Sequence, residues 1–455
     1  MLTAPENETL TRTGADTPMG RLFRRYWQPA LLSRELPGPD CAPKRLRILG
    51  EDFLAFRDSR GVVGIVEPRC PHRGADLYYG RTEDCGLRCV YHGWKFDTRG
   101  ACVDIPTLAP EIAERVKPKA QLRALQVCEA GDIVWVWFGS DPAPPLPALE
   151  FTQVPAGQRY VTKKLQQCNW AQAVEGALDT AHFSYLHAGV AEGERASLLH
   201  AQSAAHARDG TNEPLPVASF RWMVGDAMPR FTVLDHDAGL LLCAARTSDS
   251  EETYFRCTQF LMPSHSLAPG AWPGGNLLGQ TWVPIDDTSC WIYCYCWHPE
   301  RPLSAAERAR FAAGSGIFPA MDADFVPLRR RENEYLLDRD IQRNAHYSGI
   351  LGISEQDAAI ADSQGLIVDR TRELLGPTDL GIVRFRQLLL AAAEHVERGE
   401  SPRGADAAAA YALRSGDFML PPGTPLAAGL DARFGDRWGQ RGTHLSPARS
   451  VPGSA

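Results

Sequence analysis

The stretches CPHRGA, residues 70–75, and CVYHGWKFD, residues 89–97, decide how the first third of this sequence folds. Each opens on a cysteine (Cys70, Cys89), follows it closely with a histidine (His72, His92) and carries a glycine after the histidine (Gly74, Gly93). Two thiolates and two imidazoles in ordered Cys–His pairs have two chemical uses. They can hold one tetrahedral zinc in a structural site. They can also hold a two-iron, two-sulfide cluster with the thiolates on one iron and the imidazoles on the other. Neutral imidazole donates less charge than thiolate, so the second arrangement raises the reduction potential above that of an all-cysteine cluster. The bland alternative, four unrelated loop residues, fits poorly with two ordered pairs that each have a glycine alongside.

Composition frames what surrounds these loops. A chain of 455 residues suggests roughly two or three domains, and 44% hydrophobic with 23% charged residues is ordinary globular composition. The net charge of −7 leaves no overall basic footprint for nucleic acid. No run approaches the ~18 apolar residues of a membrane span, and the start, MLTAPENETL, has acids where a signal peptide needs positive charge. A soluble, cytoplasmic protein is expected, with no membrane partner. Twelve cysteines are too sparse for a disulfide scaffold, so they should be packing residues or metal ligands.

Along the chain, Thr17-Pro18 read as the cap and first turn of a short helix. Between Lys44 and Phe138, short apolar runs such as Phe53–Phe56 and Ile133–Phe138 are broken by Gly, Pro and Asp, which reads as a small antiparallel β domain. Pro142, Pro144, Pro145 and Pro147 form a stiff linker. Beyond it, Trp170–Leu186 has helical periodicity, 218–297 returns to strands, and Ala305–His395 is helical again. The expected division is 1–145, 146–400 and a C-terminal tail, 401–455, extended or partly disordered. No GxGxxG or GxxxxGK[ST] motif is present.

CPHRGA…CVYHGWKFD resembles the Rieske loops of aromatic-ring-hydroxylating oxygenases. The resemblance implies that Cys70 and Cys89 ligate one iron of a [2Fe-2S] cluster and His72 and His92 the other. Respiratory Rieske proteins usually add a loop-to-loop disulfide, but this chain has Ala75 and Tyr91 near those positions, which favours the oxygenase or ferredoxin branch. The fold implied is α+β: a small antiparallel β Rieske domain followed by a helix-grip-type catalytic domain of antiparallel sheet plus helices.

A second constellation lies in NWAQAVEGALDTAHFSYLH, Asn169 to His187. On one continuous helix Glu175, Asp179 and His182 fall at about 0°, 40° and −20°, a single stripe, while His187 falls near 120°. His187 joins His182 at a metal only if the helix ends or distorts, for which Ala188-Gly189 offer a place. Two histidines and one carboxylate, with positions left open, is the arrangement of non-haem Fe(II) oxygenases; a helix with solvent-facing acids and two incidental histidines fits the residues equally well. The stretch is similar to the iron-binding segment of the phthalate-dioxygenase-like branch of the same family. That similarity implies His182 and His187 as ligands of a mononuclear Fe(II), and Asp179 as the acid linking His182 to a Rieske histidine of a neighbouring subunit, with Glu175 a weaker candidate. The third ligand must be a downstream carboxylate, and the residues alone do not choose among Glu355, Asp357, Asp362, Asp369, Glu373 and Asp379. The resemblance points to Asp357 of a Gln-Asp pair, with Asp362 as fallback.

Three further features invite a functional reading. CWIYCYCW, 290–297, alternates as a buried strand does, so Cys290, Cys294 and Cys296 are assigned to packing rather than metal. His346 is assigned a structural or exposed role. Arg246 and Arg256, in strands expected to line the substrate cavity, are candidate partners for a substrate carboxylate, with a surface role as the alternative.

Taken together, the resemblance implies an oxygenase component that uses O2 to hydroxylate an aromatic, carboxylated substrate. Electrons would come from a separate reductase of flavin or ferredoxin type, and the chains would form a homotrimer or stacked trimers. Dihydroxylation, monohydroxylation and O-demethylation stay open, as does a Rieske electron-transfer protein without oxygenase activity.

Overall fold

The computed structural model describes residues 1–139, 142–190, 217–269 and 275–439. Thr17 caps the helix Pro18–Phe23, its side chain accepting the Gly20 N–H, and the helix buries Met19, Leu22 and Phe23. An all-antiparallel six-stranded sheet follows, in the order Gln28–Leu32, Ile133–Trp137, Ala124–Ala130, Val63–Val66, Glu51–Arg57, Lys44–Ile48. Ile133–Trp137 is apolar at every position because every position is buried. A smaller four-stranded sheet, Arg81–Glu83, Gly86–Arg88, Lys95–Phe96 and Cys102–Asp104, carries the second Cys–His loop between its strands, and the first loop leads into it from Val63–Val66. It has its own core, where Cys70 and Cys89 pack with Leu54, Phe56, Leu77 and Phe96.

The second half is built on an antiparallel sheet ordered Arg159–Gln166, Ser289–Trp297, Leu277–Asp286, His265–Ala268, Thr253–Leu261, Gly239–Thr247, Arg230–His236. Cys290, Cys294 and Cys296 are fully buried in the strand Ser289–Trp297, consistent with their packing assignment. The two large sheets meet where the Leu49 and Gly50 amides donate to Pro284 O and Ile285 O, at 2.8 and 2.9 Å. One hydrophobic core spans both halves, from Leu31 and Trp135 to Trp170 and Tyr295. All twelve cysteines are free, and no helix among the described residues is long and apolar enough to cross a membrane.

Three expectations need correction. The helix expected over Trp170–Leu186 stops at Leu178. The region Ala305–His395 is not continuously helical: regular helices occupy Ala305–Ala313, Arg339–Asn344, Ile353–Ser363 and Leu380–Glu397, with turns and 3-10 segments between them. The tail is folded through residue 439. His265–Ala268 is short and covers only Gln259–Leu261 of the strand Thr253–Leu261, leaving that strand's edge at Thr253–Cys257 open; Gly416–Leu420 fills that edge in antiparallel register. The helix Leu426–Phe434 then packs Leu430 and Phe434 against Phe255 and Phe418. The end of the tail, 440–455, lies outside the described residues.

Candidate metal centres

The two Cys–His loops share one backbone design. In the first, Cys70 N donates to Ala75 O and Gly74 N to Cys70 O, at 2.9 and 2.8 Å; in the second, Cys89 N donates to Trp94 O and Gly93 N to Cys89 O, at 2.8 and 2.9 Å. Each closes through a glycine in the left-handed region, φ +70° at Gly74 and +75° at Gly93, which side-chain-bearing residues rarely adopt. Cys70 and Cys89 are buried, while His72 and His92 lie nearer the surface with ring centroids 4.5 Å apart. Burial pushes the Cys70 thiol up to about 11, so a thiolate there needs a cation beside it. Two buried thiols beneath two outward imidazoles suit a cluster with chemically different ends. Trp94, singled out by nothing in the sequence beyond its place after Gly93, stacks flat on His72 at 4.6 Å and 4°.

The second centre forms because the helix breaks at Asp179. Asp179 adopts φ −71°, ψ 129° and its Oδ1 accepts the Ala181 N–H at 2.7 Å, a local bond that competes with helix continuation. A 3-10 turn, Ala181–Ser184, follows. This bend turns His187 back toward His182, so the break falls well before Ala188-Gly189. The two Nε2 atoms lie 3.1 Å apart. Asp357, on the helix Ile353–Ser363, brings Oδ1 to 3.1 Å from His187 Nε2 and 3.6 Å from His182 Nε2. Among the described residues, this trio is the one group of three or more His, Cys, Asp or Glu whose ligand atoms converge.

The partners of the outer nitrogens orient both rings. His182 Nδ1 faces Asp179 Oδ2 at 3.2 Å, and His187 Nδ1 faces Gln356 Oε1 at 2.6 Å. Burial alone would lower the His182 pKa, but the hydrogen bond and charge of Asp179 outweigh it and raise the pKa. Burial also opposes the charge on Asp357, yet His187 and His182 hold its carboxyl below the usual range. Neutral imidazoles with converging Nε2 lone pairs beside a carboxylate fit a divalent transition metal, with coordination positions to spare. Gln356 was missed in the sequence, although it is the first member of the Gln-Asp pair from which Asp357 was chosen.

The other candidates separate cleanly. Glu175 is not at this centre: Arg386 and Arg370 donate to its carboxylate at 2.7 and 3.0 Å. Asp362 accepts from Tyr335 and Gln166. Glu373 pairs with Arg386, and Asp369 caps the turn Arg370–Arg372. His346 is buried, with Nδ1 facing Ser348 Oγ at 3.2 Å. Both candidate arginines lie against the histidine segment. Arg246 is fully buried and donates through Nη2 to Thr180 O at 2.6 Å, while its Nε and Nη1 meet no partner among the described residues. Arg256 lies 5.1 Å from the Phe183 ring centroid, and its Nη1 is 3.5 Å from Asp417 Oδ2. Burial, with the nearby Arg256 adding to it, lowers the Arg246 pKa to about 10.

Comparison with known proteins agrees with this two-part layout. Residues 26–126 match the model of the Rieske [2Fe-2S] domain, and residues 136–418 match that of the LigXa C-terminal domain like family. The 3-chlorobenzoate-3,4-dioxygenase oxygenase subunit of Comamonas testosteroni is 37% identical, over 95% of this chain and 99% of its own. The phthalate 4,5-dioxygenase oxygenase subunit of Pseudomonas putida is 35% identical, over 89% of each chain. In fold, the chain is similar to dicamba monooxygenase bound to dicamba, with a TM-score of 0.52 at 18% identity over 83% of this chain and 99% of the other. An antiparallel β domain with a [2Fe-2S] loop pair, joined to a sheet-and-helix domain that those relatives match almost end to end, places this chain in the family of Rieske oxygenase subunits, which are oxidoreductases.

Proposed function

We propose that the chain is the terminal oxygenase component that uses O2, and electrons from a separate reductase of flavin or ferredoxin type, to hydroxylate a carboxylated aromatic substrate. The carrying observation is the convergence of His182 Nε2, His187 Nε2 and Asp357 Oδ1. Cys70, Cys89, His72 and His92 would hold the cluster, and the trio would hold one Fe(II). When bound, the cluster supplies single electrons and the ferrous ion supplies dioxygen activation.

The chain's own residues prepare that chemistry. Asp179 keeps a proton on His182 Nδ1, which leaves Nε2 free to ligate. Its side chain is 30% exposed, which suits it to meet a Rieske histidine of a second copy in a head-to-tail trimer or stacked trimers. Arg246 supports the choice of substrate: a fully buried guanidinium with two nitrogens unpartnered among the described residues favours an anion. Arg256 is the weaker candidate, since Asp417 already lies beside it. The relatives named for 3-chlorobenzoate and phthalate, both aromatic carboxylates, support the same class. A cytoplasmic location agrees with the free cysteines.

Turnover of a panel of benzoates, phthalates and methoxybenzoates under isotopically labelled O2, read by mass spectrometry, tests the proposal. Label should enter a hydroxylated product, or water and formaldehyde should form if the reaction is O-demethylation. His182→Ala should abolish either outcome. Full turnover by His182→Ala would show the assignment to be wrong.

A further inference from the structure

The imidazole of His187 is held on both nitrogens by two consecutive residues of one helix. Asp357 Oδ1 lies 3.1 Å from Nε2, and Gln356 Oε1 lies 2.6 Å from Nδ1. Gln356 is fully buried, and its amide has a second bond, Nε2 donating to Ile350 O at 2.7 Å. That second bond removes the usual ambiguity of an amide's orientation. Turned the other way, Gln356 would set its oxygen against the Ile350 carbonyl, two acceptors with no hydrogen between them. The amide oxygen must therefore face His187, and Nδ1 must carry the ring proton. The Nε2 lone pair then points to where His182 Nε2 and Asp357 Oδ1 converge.

Ile350 belongs to a segment already tied to the backbone beside His187. Tyr347 N donates to Ala188 O at 3.1 Å, and Val190 N donates to Ala345 O at 2.9 Å. Through Gln356, the helix that carries Asp357, this segment and the His187 ring become one hydrogen-bonded unit. His182 is supported differently, by the carboxylate of Asp179. The two histidines of the centre thus have unlike supports, one ionic and open to solvent, the other neutral and sealed.

We infer that Gln356 is a positioning residue that fixes the Nδ1–H tautomer of His187 and thereby sets the affinity of the centre for ferrous ion. The inference rests on the iron site proposed above. Without the Gln356 acceptor, the Nε2–H tautomer becomes accessible, and metal binding must first return that proton to Nδ1, where it would lack its acceptor.

The test is anaerobic titration of purified protein with ferrous ion after its chelatable iron has been removed. Cluster absorbance serves as the internal measure of folded protein, and the electron paramagnetic resonance spectrum of the nitric oxide adduct reports ligand geometry. Gln356→Leu keeps the volume and loses both bonds, so it should bind ferrous ion about 10- to 100-fold more weakly. Gln356→Glu keeps an acceptor at Nδ1 but sets its other oxygen against the Ile350 carbonyl unless that oxygen is protonated, so it should recover part of that loss. If the Leu variant loses its cluster absorbance, Gln356→Asn, too short to reach His187, provides the same comparison with an amide retained. Wild-type affinity and an unchanged nitrosyl spectrum in the Leu or Asn variant would overturn the inference, as would equal weakening by Leu and Glu. Wild-type protein that takes up no ferrous ion beyond its cluster would instead overturn the iron site itself, and this inference with it.

Discussion

At the scale of single residues, the site turns on which polar groups have partners. Glu175 and Arg256 both have them, Glu175 between two arginines and Arg256 beside Asp417. Arg246 keeps two buried nitrogens without a partner among the described residues, next to the segment that bears the histidines. Arg246→Met should therefore raise KM for a carboxylated substrate by about 10- to 100-fold, the worth of a charged hydrogen bond, with a smaller change in kcat. Steady-state kinetics against the corresponding amide checks this: an equal rise for the amide would contradict carboxylate recognition. The Cys–His loops were legible because their candidate ligands are local, and spacing along the chain is spacing in space. Asp357 was not legible from spacing alone, since it meets His187 only through tertiary packing and is one of many acids in its region. The resemblance pointed to it, and the fold brings it to the histidines.

At the scale of elements, local rules held where side chains act on their own backbone. Thr17-Pro18 capped a helix as expected, and Ser304 with Glu307 forms a capping box on Ala305–Ala313. Glu307 does more than cap. Its side chain is fully buried, receiving Arg301 at 3.0 Å and Asn276 at 2.7 Å. Burial raises its pKa, but Arg301, the Ser304 amide and Asn276 outweigh that and hold the carboxyl at about 2. A depressed folded-state pKa means that the stabilisation is present above the ordinary value of 4.5 and fades as pH falls from there toward about 2. Glu307→Gln should cost about 1–3 kcal/mol at neutral pH, and its gap to wild type should narrow by pH 3 in denaturant titrations. A gap independent of pH would contradict the ionic account. The helical wheel failed at Asp179 for a reason it cannot contain: the side chain took the Ala181 amide and ended the helix. Composition failed for the tail because Ala, Gly and Pro resemble disorder, whereas an open strand edge elsewhere in the chain recruits Gly416–Leu420.

At the scale of the whole molecule, the two halves share a core, and the relatives match them together. If Asp179 serves a neighbour's cluster, defects in different chains should complement. Co-expressed Cys89→Ala chains, lacking the cluster, and His182→Ala chains, lacking the mononuclear iron, should form mixed oligomers with a measurable fraction of wild-type turnover. Inactive mixtures of confirmed composition would place electron transfer within one chain. The most direct measurement for the account as a whole is iron per chain, determined with acid-labile sulfide before and after mild chelation. Wild type should hold three irons and two sulfides and lose one iron to the chelator, and Asp357→Ala should hold two irons with the sulfide unchanged. Two irons in the wild type, none of them removable without loss of sulfide, would contradict the account.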